Sequence, residues 1–295
     1  MTGIRCAAAS LAREDQLAGT ASTVHSFFLL EHPGPWGYDA LLDARLPAGL
    51  GGYLTRESRR TGVRVLLIRR PGRYSVATGL RVFAARAAGA RSWMETTTLS
   101  RPDEVRSLDL RALGAGRSLG WTVYDAPLFA VCTQGRHDAC CAELGRPVAL
   151  ALAASRHADA VWECSHMGGD RFAGNMLVLP RGHYYGRVDP VAALSLAESI
   201  EDGRLDLDHL RGRSDLTMPI QAAEIEVRRR LDLSGLDDVR LIAATTDGDV
   251  TLVTLDAKSR PVRALVRRVL GEPQRLTCRA PYDRPVPRFE VDLQI

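Results

Sequence analysis

An α/β fold is predicted by three features of the sequence. Short runs rich in Val, Leu, Ile and Phe, at 24–31, 63–69, 128–132 and 160–164, have the length and composition of buried strands. An Ala- and Leu-rich stretch at 142–156 lies between the last two, as a helix does between parallel strands. Turn signals then punctuate the chain, notably Pro180-Arg181-Gly182 and Thr246-Asp247-Gly248-Asp249. The 295 residues, 45% hydrophobic and 25% charged, can bury a sizeable core and suit two or three domains.

Taken in order, the strand at 24–31 is closed by His32-Pro33-Gly34-Pro35. The segment 46–61 reads as helical, weakened by Gly49, Gly51 and Gly52, and precedes the strand VRVLLIR at 63–69. A further strand is expected at 93–99, and three glycines within 114–120 suggest a boundary. In the middle third, the helix at 142–156 is expected to be regular only from Pro147. Segments 175–179 and 183–188 form a hairpin, and a helix follows at 190–201 with Asp189 as N-cap and Pro190 in its first turn. This order, β-α-β then β-β-α, is that of a thioredoxin-like domain. The last third should hold helices at 219–231 and 261–270, with Arg263, Arg267 and Arg268 on a solvated face, and strands at 239–245, 250–255 and 289–293. No internal repeat is visible. The expected division is an N-terminal α/β region (1–118), a thioredoxin-like domain (119–214) and a small C-terminal α+β region (215–295).

Several functions are set aside by composition. The net charge of +4 is uneven, at +7 over 1–120, −3 over 121–214 and zero over 215–295. Nucleic-acid binding would want basic residues clustered with stacking rings, and aromatic residues are only 6%. No apolar run approaches the ~18 residues of a membrane span. No long apolar region follows Arg5 as in a secretory signal, so a cytoplasmic, reducing location is expected.

The cysteines carry the chemistry. Cys132, Cys140, Cys141 and Cys164 fall within 33 residues, while Cys6 and Cys278 are remote in sequence, and no C-x-x-C dithiol motif occurs. The two segments that matter are CTQGRHDACC at 132–141 and WECSHMGGDRFAGN at 162–175. Each begins where a strand of the expected βαβ unit ends, at the carboxyl edge where α/β sheets place their sites. Thiolates and an imidazole gathered there suit iron–sulfur or zinc. Only one of Cys140 and Cys141 is expected to be a ligand. His166 is the candidate imidazole, and Gly168-Gly169 would let backbone approach a bulky centre. His137, His157 and His183 are not expected to ligate.

These segments, together with YYGRV at 184–188, LAGTA at 17–21 and EHPGPW at 31–36, resemble the sucrase/ferredoxin-like family of thioredoxin-like ferredoxins. The resemblance spans roughly residues 6–190. It implies no sucrose cleavage, and no carboxylate pair of a glycosidase stands out. Fungal members are implied to hold a [2Fe–2S] cluster with two cysteines nine apart and two histidines four apart. Cys132 and Cys141 match the first spacing and His166 the first histidine, but the position of the second is Asp170. Asp170 is therefore the expected fourth ligand, with Cys164 the nearest competitor and Cys140 or Cys6 weaker ones. Arg171 and the Gly168-Gly169 amides are candidate donors to the cluster's surroundings. The expected function is one-electron transfer with an unidentified redox partner protein, a reductase or an electron acceptor. Nucleic-acid and membrane partners are not expected. A structural zinc site, making this an interaction protein, and a thiol-dependent enzyme using Cys140 or Cys141 are the alternatives.

Overall fold

In a computed structural model, residues 5–72 and 79–294 are described. Helix α1 (Cys6–Ala12) leads through an extended segment to strand β1 (Ser26–Glu31), whose five leading residues are all buried. Helices α2 (Ala40–Asp43) and α3 (Leu50–Thr61) carry the chain back to β2 (Val63–Arg69), which pairs with β1 in parallel, Ser26 opposite Val63. Strand β3 (Leu80–Arg86) lies antiparallel on the other side of β1, and β4 (Trp93–Leu99) lies antiparallel beyond it. Helix α4 (Leu110–Gly114) and the short β5 (Thr122–Val123) complete the first half.

The second half repeats this path. Strand β6 (Leu128–Cys132), helix α5 (Ala139–Ala153) and β7 (Val161–Cys164) form a parallel βαβ unit, with Cys132 opposite Cys164. The hairpin β8 (Met176–Leu179) and β9 (His183–Tyr185) follows, with β8 antiparallel to β6, and helix α6 (Pro190–Glu201) comes next, capped by Asp189. Strand β10 (Leu210–Arg213) closes the edge beside β9. The thioredoxin-like order expected for the middle third is thus β7-β6-β8-β9, and the first third adopts the same order as β2-β1-β3-β4. Sequence shows no repeat, yet topology does, because the common requirement is buried strands of any apolar composition rather than particular side chains.

The halves join edge to edge through β2 and β7, antiparallel at Ile68–Cys164 and Arg69–Glu163, giving one ten-stranded sheet. An arginine secures this seam. Arg69 donates to Glu163 at 2.7 Å, Thr133 donates to the same carboxylate at 2.8 Å, and the guanidinium lies over Trp36. Inward residues such as Phe129, Val131 and Val161 pack against α5 and α6. Residues of the opposite face, among them Ala130, Cys132, Trp162 and Cys164, pack with Phe27, Phe83 and Met167.

Helix α7 (Met218–Leu231) packs on a separate antiparallel sheet of β11 (Val239–Asp247), β12 (Val250–Ala257), β13 (Arg260–Gln274) and β14 (Arg284–Gln294). The helix expected at 261–270 is instead part of β13. Val262, Ala264 and Val266 are buried while Arg263 and Arg267 are exposed, which is the period of two of a strand. Helix α5 also departs from expectation, starting at Ala139 rather than Pro147 because the Asp138 carboxylate accepts from the Cys140 amide at 2.9 Å. Strand β3 and helix α1 were not anticipated from sequence.

Candidate metal centre

The geometry of the centre begins with the strand ends. Cys132 is the last residue of β6 and Cys164 the last of β7, so both loops leave the same edge of the sheet. Helix α5 lies close over that edge because residue 145 is glycine: a Cβ there would sit 2.1 Å from the Cys132 carbonyl oxygen. This approach brings Cys141, in the first turn of α5, down to Cys132. Gln134 ties the loops together, accepting from the His166 amide at 2.7 Å and donating to the Gly37 and Tyr38 carbonyls at 3.0 Å each.

Donor atoms of Cys132, Cys141 and His166 lie within 4.8 Å of one another, and so do those of His137, His166 and Asp170. Asp170 links the two groups. Its carboxylate stands 2.9 Å from His166 Nδ1 and accepts from the Cys141 thiol at 3.4 Å. The His166–Asp170 contact has ion-pair distance but poor alignment, so this buried ring nitrogen has no hydrogen-bond partner. Cys164 sits beside Cys132 across the parallel pair and in the same apolar cluster, but its sulfur belongs to neither donor group.

Burial and mutual contacts set the charges of these groups against one another. Close contact with Cys141 outweighs burial and, with help from His166, brings the Cys132 pKa down to about 5. Cys141 keeps its proton for the same reason and is pushed up. Burial disfavours charge on His166, yet Asp170 and the Cys132 thiolate prevail and raise it to about 10. Burial likewise opposes the Asp170 carboxylate, which His166 nevertheless holds below its usual range. Desolvation above all, then the charges of Cys132 and Glu163, drive Cys164 well upward.

Other residues fall into different roles from those expected. Arg171 pairs with Asp15 and stacks on Phe172 instead of facing the centre. Gly168 and Gly169 are both at positive φ; Gly169 makes room for Arg211, which donates to the Gly168 carbonyl and to Asn175, and a Cβ at Gly169 would meet the guanidinium at 2.3 Å. His137, set aside on sequence grounds, stacks on His166 with ring centroids 3.8 Å apart and on Tyr38 at 5.0 Å. Only its place inside the Cys132–Cys141 loop could have signalled this. Cys140 points away from the centre altogether. It meets Cys6 and Cys278 in a second group that includes Asp138.

Fold and donors together define an α/β protein in which buried thiols and a buried carboxylate meet half-buried imidazoles in groups able to hold a metal. Residues 17–212 match the sucrase/ferredoxin-like family, and the chain belongs to that family. No curated protein and no solved structure matches it. Among the described residues, no helix is long and apolar enough to cross a membrane.

Proposed function

We propose that this protein is a one-electron carrier whose [2Fe–2S] cluster is held by Cys132, Cys141, His166 and Asp170. The observation that carries the reading is the convergence of two sulfurs, an imidazole and a carboxylate from the two strand-end loops. The donor chemistry fits such a group: the thiolates supply soft ligands, and the His166 ring nitrogen lacks a hydrogen-bond partner. When bound, the cluster would supply reversible one-electron chemistry. The chain's residues do the rest. Two thiolates, one imidazole and one carboxylate set the charge around the centre, and burial of Cys132, Cys141 and Asp170 keeps water from it. The stack Tyr38–His137–His166 runs from the surface to the donors, and the redox partner, a reductase or an electron acceptor, is assigned to that edge. A cytoplasmic location is part of the same proposal.

A mononuclear zinc site is the second reading, favoured by the close spacing of the Cys132, Cys141 and His166 donors. A cysteine nucleophile is disfavoured, since Cys140 and Cys141 are each only 1% exposed. Reductive titration of anaerobically purified protein separates the readings. Visible absorbance that bleaches with one electron and returns on oxidation supports the carrier; colourless protein containing zinc at these ligands overturns it.

A further inference from the structure

Three cysteines that the electron-carrier reading does not use meet on the far side of the α5 N-terminus. Cys6 begins α1, Cys140 lies in the first turn of α5, and Cys278 sits in the segment joining β13 to β14. Their sulfurs form a nearly equilateral triangle, with Cys6–Cys140 at 3.7 Å and both Cys140–Cys278 and Cys278–Cys6 at 3.5 Å. Tetrahedral zinc with Zn–S of ~2.3 Å requires S···S edges of about 3.8 Å. No pair is singled out as a disulfide would single it out.

The fourth vertex is also present. Asp138 is fully buried, and its Oδ2 lies 3.5 Å from the Cys6 sulfur. That carboxylate is oriented by the Cys140 amide at 2.9 Å and the Cys278 amide at 2.7 Å. Among the described residues, no cationic side chain pairs with it. A backbone amide also serves the sulfurs: Cys6 N–H donates to Cys278 at 3.4 Å. A buried carboxylate beside three thiols, surrounded by donors and lacking a counter-cation, is the arrangement that a bound cation would complete.

We infer that Cys6, Cys140, Cys278 and Asp138 form a structural Zn²⁺ site, separate from the centre at Cys132 and Cys141. The carboxylate oxygen favours borderline zinc over soft Cu(I), and four protein donors close the site as structural zinc requires. Sulfur separations this short suit one ion rather than a polynuclear cluster. On binding, the cysteine thiols that are protonated release their protons to solvent, and no electron changes hands. The ion would fasten the N-terminal helix and the β13–β14 segment to the helix that carries Cys141. The adjacent pair Cys140-Cys141 would thereby serve two metals on opposite sides of one backbone.

The test is zinc, iron and sulfide content of full-length protein purified without added metal, beside Cys6→Ser and Cys278→Ser. One zinc per chain in the parent, lost in both variants while iron, sulfide and visible absorbance are retained, supports the site. Zinc retained in both variants overturns it. So does a parent without zinc whose denatured, alkylated form shows a disulfide among Cys6, Cys140 and Cys278. If a variant fails to fold, zinc X-ray absorption of the parent decides: three sulfurs and one oxygen are expected, and two sulfurs with nitrogen place the ion at Cys132, Cys141 and His166 instead. Absence of iron from the parent would end the electron-carrier reading without touching this one.

Discussion

At the scale of single residues, the decisive pair is Asp170 and Cys164. Asp170 contacts both His166 and Cys141, whereas Cys164 is buried against Cys132 with its sulfur outside the donor groups. Asp170→Ala should therefore lose iron and visible absorbance, and Cys164→Ser should keep both. Iron content and spectra of the two variants measured together check this; a coloured Asp170→Ala protein contradicts the assignment. The four candidate donors were legible in sequence because each pair lies close together in the chain, Cys132 with Cys141 and His166 with Asp170. His137 was not, since stacking on His166 depends on how the two loops meet across the sheet. The convergence of Cys6 with Cys278, 272 residues apart, was equally invisible, because no local pattern reports a contact made by opposite ends of the chain.

Elements decide whether those residues can meet. Helix α5 reaches the Cys132 backbone only because Gly145 has no side chain, and the obstacle to a larger residue is rigid backbone. Gly145→Ala should cost about 1–3 kcal/mol in denaturant unfolding and should also perturb the visible spectrum by lifting Cys141 from Cys132. A variant of parental stability and spectrum would show that the helix has room to move. Strand β9 supplies a pH-dependent contribution. Burial, then the charges of Arg213, Arg228 and Arg181, push the His183 pKa well down, so the folded protein holds it neutral. The unfolded chain takes up that proton below about pH 6.5, so stability should fall as pH drops through that value. His183→Gln should show a shallower loss between about pH 7 and pH 5 in urea unfolding; equal slopes would remove His183 as the cause. Short continuous apolar runs and turn signals made β6, β7 and the β8–β9 hairpin readable. The same rules failed for β13, whose alternation of Val262, Ala264 and Val266 with arginines was read at helical spacing.

The whole molecule places the centre where its parts meet. The β2–β7 seam brings the first half, with Arg69 and Tyr38, against the second half, with Glu163 and His137. The β13–β14 segment reaches back to the same region, setting Arg279 over Tyr38 and Cys278 against Cys6. This arrangement could not be read from the sequence, because the repeated topology rests on apolar strands that share no motif. The seam itself depends on two residue pairs far apart in the chain. What the sequence did contain was the α/β class and the family pattern, since both are local.

Whether Cys132 helps to hold an iron–sulfur cluster is decided by iron and acid-labile sulfide in anaerobically purified full-length protein and its Cys132→Ser variant. Equal iron and sulfide are expected in the parent, and loss of both in the variant, where serine is a harder and less readily ionised ligand. A parent with neither iron nor sulfide, or a variant that keeps both, would contradict that role.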